Sequence, residues 1–149
     1  MQKNSKDVVI VSALRTVIGK YNGIWAKIEA HNLGKSVIQN ILSQSKVSQS
    51  SIDEVIMGQV LTGGTGQNPA RQAARGAGIQ DEKTAYIINQ VCGSGLRAII
   101  SGYQSILLND SKIIIAGGQE NMSFSNQDNM LQDGLIDAFN NYHMGVTAE

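Results

Sequence analysis

One cysteine, Cys92, sits in the segment Ile88-Asn-Gln-Val-Cys92-Gly-Ser-Gly-Leu-Arg-Ala98, where an apolar run ends and a helical pattern begins directly after the thiol. A thiol at that point lies near unpaired backbone N–H groups and the positive end of a helix dipole. Both favour the thiolate, which is the reactive form. Gly93 and Gly95 remove side-chain bulk, so a substrate carbonyl can approach the backbone closely. The same N–H groups can then stabilise a tetrahedral oxyanion. The plainer alternative is a cysteine buried as a small hydrophobe, which is the commoner fate of this residue. Position alone leaves both open.

The elements that must hold this turn follow from the apolar pattern. Residues 84–88 predict the strand that enters it, and residues 93–109 the helix that leaves it, with Leu96, Ile99, Ile100, Tyr103, Ile106 and Leu107 on one face. Residues 8–13 read as a further buried strand, short, β-branched and continuous. Two more strands are expected over 54–61 and 112–116, the latter closed by Gly117-Gly118. Leu33, Val37, Ile38, Ile41 and Leu42 recur at helical spacing and predict a helix over 32–45, with His31 at its start. Residues 15–27 read as a loop packed against the body, Trp25 included, and 48–51 as a surface turn. The turn Gly63-Gly-Thr-Gly66 leads to Pro69, which suits the first turn of a short helix. After Ser123 the pattern lapses across a soft joint at 124–128, beyond which a helix is expected over 130–139. Strands alternating with helices argue for an α/β fold, a mixed sheet flanked by helices.

Composition excludes several classes. Twelve basic residues balance twelve acidic ones, so no net field points to nucleic acid or a membrane surface. No apolar run approaches the length that spans a bilayer, and the polar residues 1–7, with Lys3 and Lys6 as a solvated terminus, carry no signal-peptide pattern. One cysteine forms no internal disulfide, so a cytoplasmic location is the expectation. With only two histidines beside it, a structural zinc site is not expected. Gly64-Thr-Gly66-Gln-Asn-Pro69 begins like a dinucleotide fingerprint, but a proline stands where the third glycine belongs.

The segment around Cys92 closely resembles the nucleophile-site signature of the thiolase family. Val11-Ser-Ala-Leu-Arg-Thr16 with Ile18-Gly-Lys20 resembles the family's opening strand and turn. Asp53-Glu-Val-Ile-Met-Gly-Gln-Val60 and Gly66-Gln-Asn-Pro-Ala-Arg-Gln-Ala-Ala74 are similar to its second strand and following helix. Ala116-Gly-Gly-Gln-Glu-Asn-Met-Ser123 and Tyr142-His-Met-Gly145 match two further segments in the family's order. The likeness covers nearly the whole chain and is greatest to the acetyl-CoA acetyltransferases.

The resemblance implies two similar α/β halves, with an extra loop domain inserted in the first. Residues 1–123 would be part of the N-terminal α/β domain and 124–149 the start of the loop domain. It implies acyl transfer between coenzyme A thioesters, with neither metal nor redox cofactor. Cys92 would take an acyl group, and a second acetyl-CoA would attack it through its α-carbon; the reverse reaction cleaves 3-ketoacyl-CoA. A soft, good leaving thiolate suits such chemistry. His143 and Met144 match residues beside the pantetheine end of coenzyme A, and Gly93 and Gly95 would support the turn and the oxyanion. The glycine-rich stretch after residues 54–61 would be a structural loop near a subunit contact.

The chain also departs from the family. A histidine base and a second cysteine, both in the family's C-terminal half, have no counterpart here, and Val17 and His31 stand where proline is expected. Residues 124–129 replace a longer segment that helps join dimers into tetramers. An isolated chain of this kind is expected to be marginally stable and inactive, with a homodimer or a complementing C-terminal thiolase chain as its partner. Three other readings compete: a non-catalytic remnant or structural partner, a redox-sensitive or acyl-accepting cysteine without carbon–carbon chemistry, and a ketoacyl-synthase-like condensing enzyme, which fits the motifs less well.

Overall fold

Three five-residue runs pair in parallel to form the sheet: β1 (Glu54–Gly58), β2 (Thr84–Ile88) and β3 (Ile114–Gly118), in the order β2-β1-β3. This is a computed structural model, and it describes residues 7–149. Residues 1–6, with Lys3 and Lys6, lie outside the described residues. The sheet expected as mixed is parallel across these three strands.

Each parallel step needs a helix to carry the chain back. α2 (Pro69–Gly76) joins β1 to β2, and α3 (Ser94–Leu108) joins β2 to β3 on the other side of β1. The alternation along β1 assigns the two layers. Val55 and Met57 pack with Ile38 and Leu42 of α1 (Ala30–Ser45) and with Ala70, Ala73 and Ala74 of α2. Gly58, on the opposite face, lies against the first turn of α3. The alanines of α2 leave room for α1 to lie close beside it. Residues such as Ile38, Ile52 and Val55 are almost wholly buried, each stabilising the fold by roughly 1.5–3 kcal/mol.

Several expectations hold with small shifts. α1 starts two residues early, with His31 in its first turn, and its Nε2 lies 3.3 Å from Oε2 of Glu29. Pro69 opens α2, capped by Asn68, whose side chain accepts from the Arg71 N–H. The turn expected over 48–51 is a short 3₁₀ turn, Gln49–Ser51. Trp25 packs over Gly19 and donates Nε1–H to the Val17 carbonyl at 3.0 Å.

Others need correction. Residues 8–13 form no strand: they run as irregular chain, with Val9, Ile10 and Val11 at least 71% exposed. Their composition suits burial, but no described strand runs beside them to complete a ladder. The outer face of α3 is likewise uncovered. Ser94, Ala98 and Gly102 face the sheet, while Leu96, Ile99, Ile100, Tyr103 and Leu107 are exposed. β1 stops at Gly58 rather than at residue 61, and β3 includes both of its glycines. The helix expected over 130–139 is α4 (Gln127–Gly134), because Asn126 caps it by accepting from the Asp128 N–H at 2.9 Å. A last short turn of helix, α5 (Gly145–Ala148), closes the chain. Among the described residues no helix is long and apolar enough to cross a membrane.

Candidate active site around Cys92

All three strands end in register, Gly58 beside Ile88 and Gly118. The helices leaving β1 and β2 pass to opposite faces, so the connections diverge at the C-terminal edge. Such a divergence opens a crevice outside the strand ends, where ligands bind in open α/β sheets. A cleft of about 390 Å³ lies there, bounded by Gly58–Leu61 after β1, by Val91, Cys92, Ser94 and Gly95 after β2, and by Gly118–Glu120 after β3. Met122, Gly134 and Leu135 close its outer side.

Cys92 is exposed in this cleft as a free thiol, so the reading of a buried small hydrophobe does not describe it. The turn that presents it is tightly specified. Val91 has φ +48, a left-handed conformation that a β-branched residue adopts only at a cost. Three side chains fasten it. Asn89 Oδ1 accepts from the Val91 N–H at 3.0 Å, and Ser94 Oγ accepts from the Gln90 N–H at 2.8 Å while donating to the Val91 carbonyl at 2.5 Å. Arg97 Nε donates to Gln90 Oε1 at 2.7 Å, tying the turn to α3.

The two glycines expected to assist serve different ends. The Gly93 N–H is already donated to the Gln90 carbonyl at 3.0 Å, and that of Ser94 to the Val91 carbonyl at 3.1 Å. Gly93 therefore supports the turn in this arrangement, and its own N–H is committed there. Gly95 lines the cleft and lets α3 approach β3, a Cβ on it meeting Gly118 Cα at 3.6 Å.

His143 and Met144 lie apart from the cleft lining. Both are exposed. Ile136 and His143 pair across a loop that Asp137 pins by accepting from the Phe139 and Asn140 N–H groups at 2.9 and 2.6 Å. Those bonds hold the Asp137 carboxyl below the usual carboxylate range. The Gly145 N–H donates to His143 Nδ1 at 3.0 Å. The Met144 N–H bonds the Leu135 carbonyl at 2.8 Å, so this loop adjoins the cleft's outer wall through its backbone.

The strand ends also carry a polar network that the apolar pattern of the sequence does not mark. Gln59 and Gln119 are both buried; Gln119 Nε2 donates to Gln59 Oε1 at 2.9 Å, and Gln59 Nε2 to the Leu61 carbonyl at 2.9 Å. Next to them Glu120 Oε2 accepts from the Val60 N–H at 2.7 Å and, more weakly, from that of Leu61 at 3.4 Å. Surrounding protein pushes the Glu120 carboxyl up from its ordinary value, against the opposing pull of the Val60, Leu61 and Asn121 N–H groups. The side chain keeps access to water from the cleft side. A signal existed: each glutamine follows a glycine that ends a strand, Gly58-Gln59 and Gly118-Gln119.

A larger groove of about 620 Å³ lies at the opposite edge of the sheet, with Asp53, Glu54 and Asp110 facing Lys83. Its lining offers serine, threonine and lysine side chains but no thiol. Glu54 there is pushed up by burial and by the nearby Asp110 charge. The smaller cleft is the one that holds the exposed Cys92 thiol.

The thiolase N-terminal domain profile matches residues 8–130. The chain belongs to the thiolase family. It is 47% identical to an acetyl-CoA acetyltransferase of Rhizobium meliloti over 98% of this chain and 41% of that protein. It is 47% identical to a cytosolic acetyl-CoA acetyltransferase of Rattus norvegicus over its full length and 42% of the rat protein. An acetyl-CoA acetyltransferase of Cupriavidus necator is 49% identical over 96% of this chain and 41% of its own. The chain thus spans about two fifths of the thiolases it matches. The rat alignment covers 165 positions against 149 residues here, so that thiolase carries residues inside the matched region which this chain lacks.

Proposed function

We propose that this chain supplies the acyl-carrying nucleophile of an acetyl-CoA acetyltransferase reaction. The observation that carries the reading is the exposed Cys92 thiol, held by a strained turn at the divergence of two strand connections in a thiolase domain. In the first half-reaction Cys92 Sγ attacks the thioester carbonyl of acetyl-CoA. The tetrahedral intermediate collapses, the C–S bond to coenzyme A breaks, and its thiol leaves with a proton. In the second, the α-carbon of another acetyl-CoA loses a proton and attacks the acetyl-cysteine carbonyl. A carbon–carbon bond forms, acetoacetyl-CoA departs, and the Cys92 thiol is restored. The thiolytic reverse follows the same steps backwards. The substrates are coenzyme A thioesters, and no other cofactor is required. Such work fits the cytoplasm, where the rat relative's name places that protein.

Proton transfer in both halves needs a base, and the cleft as described offers no histidine. We assign that base, and the second cysteine that handles the α-proton, to protein beyond these residues or to a second chain. The uncovered apolar face of α3 and the exposed run at residues 9–11 support a docking partner of that kind, since burying such surface is the main driving force of association. His143 and Met144 would reach pantetheine only once that partner closes the cleft. A homodimer is the other arrangement that would cover these surfaces.

The test is to incubate the folded chain with acetyl-CoA and weigh it intact, with Cys92→Ala as control. A cysteine-dependent gain of one acetyl group supports the reading. No gain, in a chain whose circular dichroism shows it folded, would mean that Cys92 is not activated without the base assigned to the partner, and the reading as a non-catalytic remnant or structural partner would gain.

A further inference from the structure

One wall of the cleft, residues 60 and 61, belongs to no helix or strand, yet it lines the same cleft as the Cys92 thiol. Its shortest tie comes from the end of β3, sixty residues along the chain, beside a long contact from Asn89 Nδ2 to the Val60 carbonyl at 3.5 Å. Glu120 Oε2 takes both of its N–H groups, and the buried Gln119–Gln59 amide pair takes the Leu61 carbonyl from beneath. A carboxylate accepting two backbone donors is a charge-assisted tie, about twice as strong as a neutral one. The two amides below it are nearly inaccessible to water, so their pairing directs the Gln59 side chain one way only.

We propose that Glu120, backed by Gln59 and Gln119, is a positioning group for the Cys92 site: it clamps the 60–61 wall at the spacing that admits the pantetheine arm of a coenzyme A thioester. This rests on the proposed acyl-transfer reading of Cys92 and assigns that site a component beyond the nucleophile. Glu120 acts through the wall and takes no part in bond making. Glu120→Ala removes the clamp, whereas Glu120→Gln keeps an acceptor oxygen in place and drops only the charge.

Two measurements on the full chain test it. The first is amide hydrogen exchange at Val60 and Leu61. The second compares the rate at which Cys92 is alkylated by iodoacetamide with its rate of disulfide exchange with pantethine, in which the thiolate forms a mixed disulfide and releases one pantetheine thiol. Glu120→Ala is expected to speed exchange at the Val60 amide about tenfold, the worth of one charge-assisted hydrogen bond, and at the Leu61 amide less, and to lower the pantethine rate relative to iodoacetamide several-fold. Glu120→Gln, which keeps a neutral acceptor, is expected to restore about half of both effects on a logarithmic scale. Should Glu120→Ala fail to fold, Glu120→Asp replaces it with the same expectation, because it keeps the charge but withdraws the carboxylate by one methylene. Unchanged exchange and an unchanged rate ratio would overturn the proposal, as would a Gln variant no better than Ala. A Cys92 inert to both reagents would instead count against the acyl-transfer reading, while the exchange data would still decide the clamp.

Discussion

Gly58, the last residue of β1, lies so close beneath Ser94, the first residue of α3, that a Cβ on it would collide with the Ser94 carbonyl carbon and come within 2.5 Å of the Gly95 nitrogen. Both are backbone atoms, so no rotamer can relieve the contact. Gly58→Ala must therefore lift the start of α3 off the sheet, and the Cys92 turn with it. Overpacking of this kind costs about 1–3 kcal/mol, and a backbone clash belongs at the upper end. The expected result is a melting temperature several degrees lower, with altered Cys92 alkylation in the molecules that remain folded. A variant as stable as the parent, with an unchanged thiol, would show that the contact does not govern the site.

Val91 contributes in the opposite sense. Its positive φ carries a cost of about 1–3 kcal/mol for a β-branched residue, and its side chain is 42% exposed, so little packing repays it. Asparagine tolerates the same conformation far better. Val91→Asn is expected to raise stability by about 1 kcal/mol, read as a higher urea midpoint at unchanged slope. No gain would mean that the Asn89 and Ser94 hydrogen bonds already remove the strain.

The Cys92 turn was legible because it is local. An apolar strand, a Gly-x-Gly turn and a helical repeat lie within about twenty residues, and each signal agrees with its neighbours. α1 and β2 were legible for the same reason. Residues 8–13 and the outer face of α3 misled because apolar content states what a segment gains by burial, and says nothing about whether another surface covers it. The Gln59–Gln119 pair and Glu120 went unassigned for a third reason: sixty residues separate the partners, and their meeting depends on the register that sets Gly58 beside Gly118. α4 began earlier than its apolar residues suggest because its start is set by a cap, Asn126, which carries no periodic signal.

Gly34 marks where α1 makes room for that network. It is buried, and a Cβ there would overlap Gln119 Oε1. In an open helix, glycine to alanine would gain about 1 kcal/mol. Here the gain is outweighed, because the Gln119 amide is held by Gln59 and cannot swing aside without losing a buried hydrogen bond. Gly34→Ala is expected to lose about 1–2 kcal/mol net. The double variant Gly34→Ala with Gln119→Ala separates the causes: the penalty for Gly34→Ala should vanish in the Gln119→Ala background. An equal penalty in both backgrounds would place the clash elsewhere.

Asp53 fixes the other end of the β1–β3 pairing. Its Oδ2 accepts from the Lys112 and Ile113 N–H groups at 2.7 and 3.1 Å, while its own N–H donates to the Ile113 carbonyl at 2.9 Å. The two accepted bonds, and less strongly Lys83 and Lys112, hold its carboxyl below the ordinary value. A depressed carboxylate stabilises the fold fully above its unfolded pKa, near ~3.9, and that contribution is lost as pH falls through the lower folded value. Because the group is largely open to water, Asp53→Ala is expected to cost only about 1 kcal/mol at neutral pH. Urea unfolding of parent and variant should show a constant gap from about pH 7 to pH 5, narrowing below about pH 4. A gap that instead widened with acid would mean that the protonated carboxyl, acting as a donor, makes the stronger contact.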